Sequence, residues 1–332
     1  MAIGPGRAAH AVHAKPPGLA PGLSVNAALQ RIGRACLLHL VRNENGALAG
    51  DAEAIHQMRV AVRRLRAALS AAAPLLPKKQ RRWAADELRW FADTLGEVRN
   101  LDVFLGTLLP SAREDMPQAS EFERLALAVG RRRQAAQEAA VAAILSPRYT
   151  SAVLDLLRWF DGCGWGAEAE AEALDQPIDE VAPLLLERCR RQVRRRAKHF
   201  ARQTPAQRHR LRIALKKLRY AVEAFGELYD RAEIHLFVQR LKRLQDELGD
   251  ANDLRIGRAI VAALVKPPLA KPLLTKPSLA KPALSGPRKG ATGIALAGRR
   301  LIAWHKRHLA ENEEGLRHHL REMIETEPFW RN

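Results

Sequence analysis

The sequence predicts an all-α fold, and three observations predict it. Ala, Leu, Arg and Glu fill long stretches at helical spacing. Alternating β-branched residues, the mark of strands, are rare. Prolines 147, 177 and 205 fall at the joins between periodic segments. Helices are expected over 24–43, 51–74, 78–109, 118–145, 147–161, 178–203, 206–229, 231–265 and 293–325. Asp51, Ser120 and Asp179 stand where N-terminal caps are needed.

Taken in order, residues 1–23 are rich in Gly, Pro and Ala and read as a disordered leader without the apolar core of a secretory signal. Residues 24–161 read as a first helical bundle, 162–177 as a linker, 178–325 as a second bundle and 326–332 as a tail. Within the second, 266–285 reads KPPLA-KPLLT-KPSLA-KPALS. A proline at every fifth position forbids a regular helix, so 266–287 is expected to be an extended, cationic insertion loop.

The division into two bundles comes from an internal repeat. HQMRVAVRRLRAAL begins at His56 and HRLRIALKKLRYAV at His209, an offset of 153 residues. The same offset lays LGEVRNLD, from Leu95, on LGDANDLR, from Leu248. Helix 118–145 reaches 293–320 only with 22 further residues, the length of Lys266–Pro287. The expected architecture is therefore two four-helix bundles related by internal duplication, each burying one apolar stripe per helix.

Composition narrows the partners. Against 36 Asp and Glu stand 55 Lys and Arg, a formal charge of +19, which concentrates anions around the molecule. Cys36, Cys163 and Cys189 offer neither a disulfide framework nor a CxxC metal signature, as expected of small buried side chains in a reducing cytosol. No apolar run approaches the ~18 residues of a membrane span, and a soluble chain is expected.

The charge is patterned. At about 100° per residue, His56, Arg59, Arg63 and Arg66 crowd less than a quarter of the helix circumference, apart from an apolar stripe of Met58, Val62, Leu65 and Leu69. In the second copy His209, Arg212, Lys216 and Arg219 repeat the basic edge, and Leu211, Leu215, Leu218 and Val222 the apolar one. Cations at i, i+3, i+7 and i+10 repel one another and lack the alternating signs of helix-stabilising pairs. They span roughly 15 Å, enough to line several phosphates, and arginine's planar fork suits oxyanions. A third run, Arg188, Arg191, Arg195, Lys198 and Arg202, shares one face of helix 178–203. One basic stripe alone is most simply a solvated face; the recurring histidine argues for more.

These segments, with Leu244-Gln-Asp-Glu-Leu-Gly-Asp-Ala-Asn-Asp253, closely resemble the CHAD family, the conserved histidine α-helical domain, over about residues 24–325. The resemblance implies two four-helix bundles about a pseudo-two-fold axis, with basic helix faces around a central groove. It also implies binding of inorganic polyphosphate and, in bacteria, association with polyphosphate granules. On matching positions it nominates His56, Arg59, Arg63, Arg64 and Arg66, with His209, Arg212, Lys216, Lys217 and Arg219. Periodicity adds Arg188, Arg191 and Arg195. The expectation is a non-catalytic, cytoplasmic binder of polyphosphate or other polyanions, without cofactor or resident metal.

Four other functions are weighed. Phosphotransfer through His56 or His209 would need a metal or a placed base; Asp246, Glu247, Asp250 and Asp253 could hold a divalent ion, but such a cluster more often forms salt bridges to nearby basic helices. Metal binding at His305/His308 or His318/His319 rests on loose spacings. Nucleic-acid binding shares the electrostatics, but aromatics are only 5% and none interleaves the basic stripes as a stacking platform. A membrane-surface role lacks a helix pairing a basic face with large exposed apolar residues.

Overall fold

The computed structural model describes residues 11–117, 119–165, 171–265 and 289–331. The proline-rich insertion expected at 266–287, and residues 1–10 of the expected leader, lie outside these. The described chain is helical, with no strand beyond an isolated bridge between Ser24 and Pro177. The helices are α1 Val25–Val41, α2 Glu44–Leu48, α3 Ala52–Ala71, α4 Lys78–Thr94, α5 Gly96–Val103, α6 Leu109–Glu114, α7 Glu121–Ile144, α8 Pro147–Asp161, α9 Ala171–Asp175, α10 Ile178–Ala197, α11 Pro205–Phe225, α12 Arg231–Val265, α13 Lys289–Glu311 and α14 Glu313–Glu325.

Two compact units form. The first comprises Met1–Arg99, Ala136–Gly249 and Asn312–Asn332; the second Asn100–Ala135 and Asp250–Glu311. Each half of the sequence repeat contributes to both. In the first unit α1 packs on α3, α10 on α11, and α3 on α11. The expected apolar stripes make these contacts: Met58, Val62, Leu65 and Leu69 are at most 3% exposed, and Leu211, Leu215, Leu218 and Val222 are fully buried. Each such side chain contributes ~1.5–3 kcal/mol on leaving water. Against α8, α1 presents Gly33, where any Cβ would collide with the Phe160 ring.

Both site helices start on side-chain caps. The Asp51 carboxylate accepts from the Glu53 amide at 2.8 Å, opening α3. Thr204 and Gln207 form a reciprocal capping box ahead of α11, with Pro205 in its first turn, where no amide is missed. Asp179 caps nothing: α10 begins behind Pro177, and the Asp179 carboxylate accepts from the Gly22 amide at 2.8 Å instead.

That contact belongs to a larger departure from expectation. Residues 11–23, read as part of a disordered leader, form a strap. Val12 exchanges hydrogen bonds with the Asn43 side chain, both at 2.9 Å. One Glu227 carboxylate oxygen accepts the Gly18 and Leu19 amides at 2.7 and 2.9 Å, and Leu19 is buried. The Gly/Pro composition reports low helix propensity; it says nothing of distant side chains that satisfy an extended backbone. The start of the linker is docked too, with Trp165 fully buried and its indole donating to Asn26 at 2.8 Å.

Helix ends differ where side chains compete for the backbone. α10 stops at Ala197, with His199 left-handed at φ 55° and a 3-10 turn at Phe200–Arg202. The Gln203 amide donates to the carbonyls of Arg196 and Lys198 at 2.6 and 3.0 Å, closing the helix end. Lys198 and Arg202 thus fall off the helical face assigned to them. The expected helix 78–109 breaks at Leu95 and then runs past Pro110 to Glu114, through a π-helical turn at Phe104–Leu108. The wider turn accommodates a proline that α register would reject.

In the second unit Arg133 bridges Asp102 at 2.9 Å and Arg300 pairs with Glu121. His305 Nε2 meets the Leu108 carbonyl at 2.8 Å, and the Trp304 indole donates to Asp115 at 2.7 Å.

Candidate anion-binding trough

Where α3 meets α11, the two basic edges face one another across a cavity of about 370 Å³. Arg63 and Arg66 of α3 line it with Lys216 and Lys217 of α11, and Arg81 of α4 joins them. Its floor includes Tyr220, 3% exposed, whose ring is flanked by the guanidinium carbons of Arg63 at 5.8 Å and Arg219 at 4.6 Å. Cations of both repeat copies are thus held on one aromatic, each attracted by its π face.

The edges are fastened by small residues of the LG segments. Arg59 donates through Nη1 to the Ala92 carbonyl at 2.9 Å, and a Cβ at Gly96 would stand only 3.0 Å from that nitrogen. Arg212 lies over Gly249 in the same manner, its Nη2 3.5 Å from the position a Cβ would take. Glycine lets the guanidinium lie flat on the helix. Arg63 in turn donates to the Arg59 carbonyl at 3.3 Å.

The price of assembling these cations appears in their acid–base behaviour. Burial first, then the neighbouring Arg99 and Arg63, press the His56 imidazole down to about 4. Burial, Arg63 and Arg99 bring the Arg59 guanidinium down to about 10. Arg63 and Arg66 shift downward too, burial leading in each. Lys217 is lowered by burial, and by Arg196, Arg66 and Arg188 around it. Acids are few but present: Glu223 lies 3.6 Å from Arg219, and Asp93 works against the depression of Arg59 and Arg66. Several buried donor groups stay without a hydrogen-bond partner: His56 Nδ1, Arg81 Nε, Arg188 Nη1 and Arg196 Nε. Buried polar atoms in that state are costly, and an anion would offer these nitrogens acceptors.

The sequence-nominated residues separate into groups. Arg63, Arg66, Lys216 and Lys217 line the cavity, and Arg188 approaches it beside Lys217. His56 and Arg59 continue the α3 edge with Arg99, while His209 and Arg212 are half-buried on α11 one turn apart. Arg64 points elsewhere, toward Cys36 and His39 of α1. Arg191 and Arg195 are exposed and make no hydrogen bond or ion pair among the described residues. Sequence reasoning missed Arg81, Arg99, Arg196 and Tyr220; at the repeat offset these fall on Ile234, Asn252, Asn43 and Ala67, so duplication could not flag them.

The other candidates are placed as well. His305 is bound to the Leu108 carbonyl and His308 stacks on Trp304, ring centroids 3.8 Å apart. His319 Nδ1 meets Glu247 at 2.7 Å, and Glu247 also lies 3.5 Å from Arg243. Among the described residues no three His, Cys, Asp or Glu converge on one point where a metal ion would fit.

The family model of the CHAD domain matches residues 31–262. The chain belongs to the CHAD family. Across 99% of its length this CHAD protein is similar to the crystal structure of the CHAD domain from the plant Ricinus communis, covering 99% of that chain at 28% identity and a TM-score of 0.73. PptA from Streptomyces chartreusis shares the fold at a TM-score of 0.62 and 17% identity, over 92% of this chain and 100% of that one. The uncharacterized protein Rv2226 of Mycobacterium tuberculosis strain H37Rv is 30% identical over 225 residues, 64% of this chain and 40% of that protein. MT2285 of strain CDC 1551 matches to the same extent. The chain therefore spans about two fifths of the length of the curated relatives it matches.

Proposed function

We propose that this CHAD protein binds inorganic polyphosphate along the trough between α3 and α11 without turning it over, in the cytoplasm and at polyphosphate granules. The observation that carries the reading is the trough itself. Cations from both copies converge on one cavity and depress one another's proton affinity, while buried nitrogens beside it lack an acceptor. A chain of phosphates supplies closely spaced negative charge and many acceptor oxygens. Binding it relieves repulsion, satisfies the nitrogens and releases counterions. The binding residues are His56, Arg59, Arg63, Arg66, Arg188, His209, Arg212, Lys216, Lys217 and Arg219, with Arg81 added.

The chain is also read as a duplicated four-helix unit, because the Gly96–Arg59 and Gly249–Arg212 pairs occupy equivalent repeat positions, each with a guanidinium close over a glycine. Nucleic acid is the weaker ligand. Tyr220, the one aromatic lining the trough among the described residues, is already buried beside two arginines, which leaves little of its face for a base to stack on.

The test is a filter-binding competition. Polyphosphate should displace DNA at far lower phosphate concentration than DNA displaces polyphosphate; equal competition would reduce the protein to a general polyanion binder. Incubation with labelled polyphosphate and Mg²⁺ should leave the chain length unchanged, and steady turnover would contradict the non-catalytic reading.

A further inference from the structure

Next to the trough, on the first three turns of α4, Lys78, Arg81, Arg82 and Arg89 line a second open cavity of about 570 Å³, with Asp86 as its one acid. Arg81 lines both cavities, and Arg89 is close enough to Arg66 to press its proton affinity down. The trough and the α4 cavity are therefore neighbours, joined through arginines.

The start of α4 is built against ordinary helix electrostatics. A helix N-terminus carries about half a positive charge, and natural first turns favour Asp or Glu there. α4 has no acidic residue in its first turn, begins on Pro77 without a side-chain cap, and places Lys78, Lys79, Arg81 and Arg82 on that end. Asp86 offers little relief, being engaged by Arg89 at 2.8 Å. Arg81 Nε is buried with no hydrogen-bond partner. A bound anion accounts for all three features at once, since it takes the orphan donor and neutralises both dipole and side chains.

Resting on the trough as the primary site, we propose that the α4 cavity is an extension site that receives the phosphates of a polyphosphate chain too long to be held between α3 and α11. The repeat sharpens this. At the repeat offset Lys78 and Arg89 fall on Arg231 and Lys242, but Arg81 and Arg82 fall on Ile234 and His235 of α12, so the arginine that joins cavity to trough is particular to the first copy. Long chains gain contacts that short ones never reach. The protein consequently selects for length by adding phosphate contacts at one end of a fixed trough.

The experiment compares sodium tripolyphosphate with long-chain inorganic polyphosphate, titrated into the wild-type chain, the K78A/R82A variant and R63E/K216E. Lys78 and Arg82 do not line the trough, and alanine suits an exposed helix, so K78A/R82A should fold; circular dichroism checks it. The expected result is wild-type affinity of K78A/R82A for tripolyphosphate, and affinity for the long chain reduced about three- to tenfold. Its salt slope should be shallower by about one to two. Unchanged long-chain affinity would overturn the extension site and leave the trough standing. Undiminished binding by R63E/K216E would instead remove the trough, and with it the foundation of this inference.

Discussion

The guanidinium carbon of Arg63 lies 5.8 Å from the centroid of the Tyr220 ring, so a cation of the first repeat is oriented by an aromatic of the second. Arg219 approaches the same ring at 4.6 Å, and the Tyr220 hydroxyl is buried without a partner. The ring is what orients the two cations. Tyr220→Phe is therefore expected to keep full affinity and to fold at least as stably, since it removes an unsatisfied group. Tyr220→Leu removes the π face, and affinity for polyphosphate should fall about threefold, in keeping with cation–π contributions of ~0.5–1 kcal/mol. Titration of both variants checks the difference; equal loss in the two would assign the effect to the hydroxyl.

Repulsion among the trough cations predicts opposite signs for stability and binding. Arg63→Met keeps side-chain length and removes one charge among Arg59, Arg99 and Arg219. Its ligand-free Tm should exceed that of the wild type, by ~2–4 °C for each kcal/mol of repulsion relieved. The rise on adding polyphosphate should shrink, whereas the wild type gains ~2.7 kcal/mol at a hundred times Kd. Thermal melts with and without ligand read both quantities. A lower ligand-free Tm for the variant would mean that Arg63 serves the fold.

His56 makes binding pH-dependent. Its imidazole is held down to about 4 by burial and by Arg99 and Arg63, below the ordinary value of 6.5. The unfolded chain binds more protons between these values, so the ligand-free fold loses stability as pH falls through that window. A polyanion against His56 favours the imidazolium, raises its pKa and draws in a proton. Affinity should therefore increase as pH falls from about 6.5 toward 4. Calorimetry in buffers of different ionisation enthalpy should show proton uptake at pH 6 that His56→Gln reduces. Identical uptake in the variant would locate the proton elsewhere.

The two glycines separate crowding from ordinary packing. In Gly96→Ala the new methyl meets Arg59 Nη1 at 3.0 Å and displaces it from the Ala92 carbonyl. In Gly249→Ala the matching approach to Arg212 is 3.5 Å, a normal contact. Alanine favours a helix over glycine by ~1 kcal/mol. Gly249→Ala is therefore expected to be more stable with wild-type affinity, and Gly96→Ala to bind several-fold more weakly without loss of stability. Melting and titration curves decide it; equal affinities would show that the placement of Arg59 is unimportant.

How much of this was legible in the sequence depended on whether the physics was local. The apolar stripes of α3 and α11 follow from helical periodicity, and every one of their named members is buried. The basic edges were legible because the same pattern occurs twice in the sequence, 153 residues apart. Arg81 lines the trough and Arg99 lies near His56 and Arg59, each from another helix and without a basic counterpart at the repeat offset, so only the fold reveals them. Arg64 shows the converse: it sits in the motif, but helical geometry turns it toward Cys36 and His39. The strap at residues 11–23 was illegible because its partners, Asn43, Asp179 and Glu227, are remote in sequence.

Calorimetric titration of long-chain polyphosphate into the wild type and the Arg63→Glu/Lys216→Glu variant, at low and high salt, tests the central claim most directly. The expected result is tight wild-type binding that weakens steeply with salt, and loss of binding in the variant with helix content retained. Binding by the charge-reversed variant at wild-type affinity would contradict the assignment of the trough as the polyphosphate site.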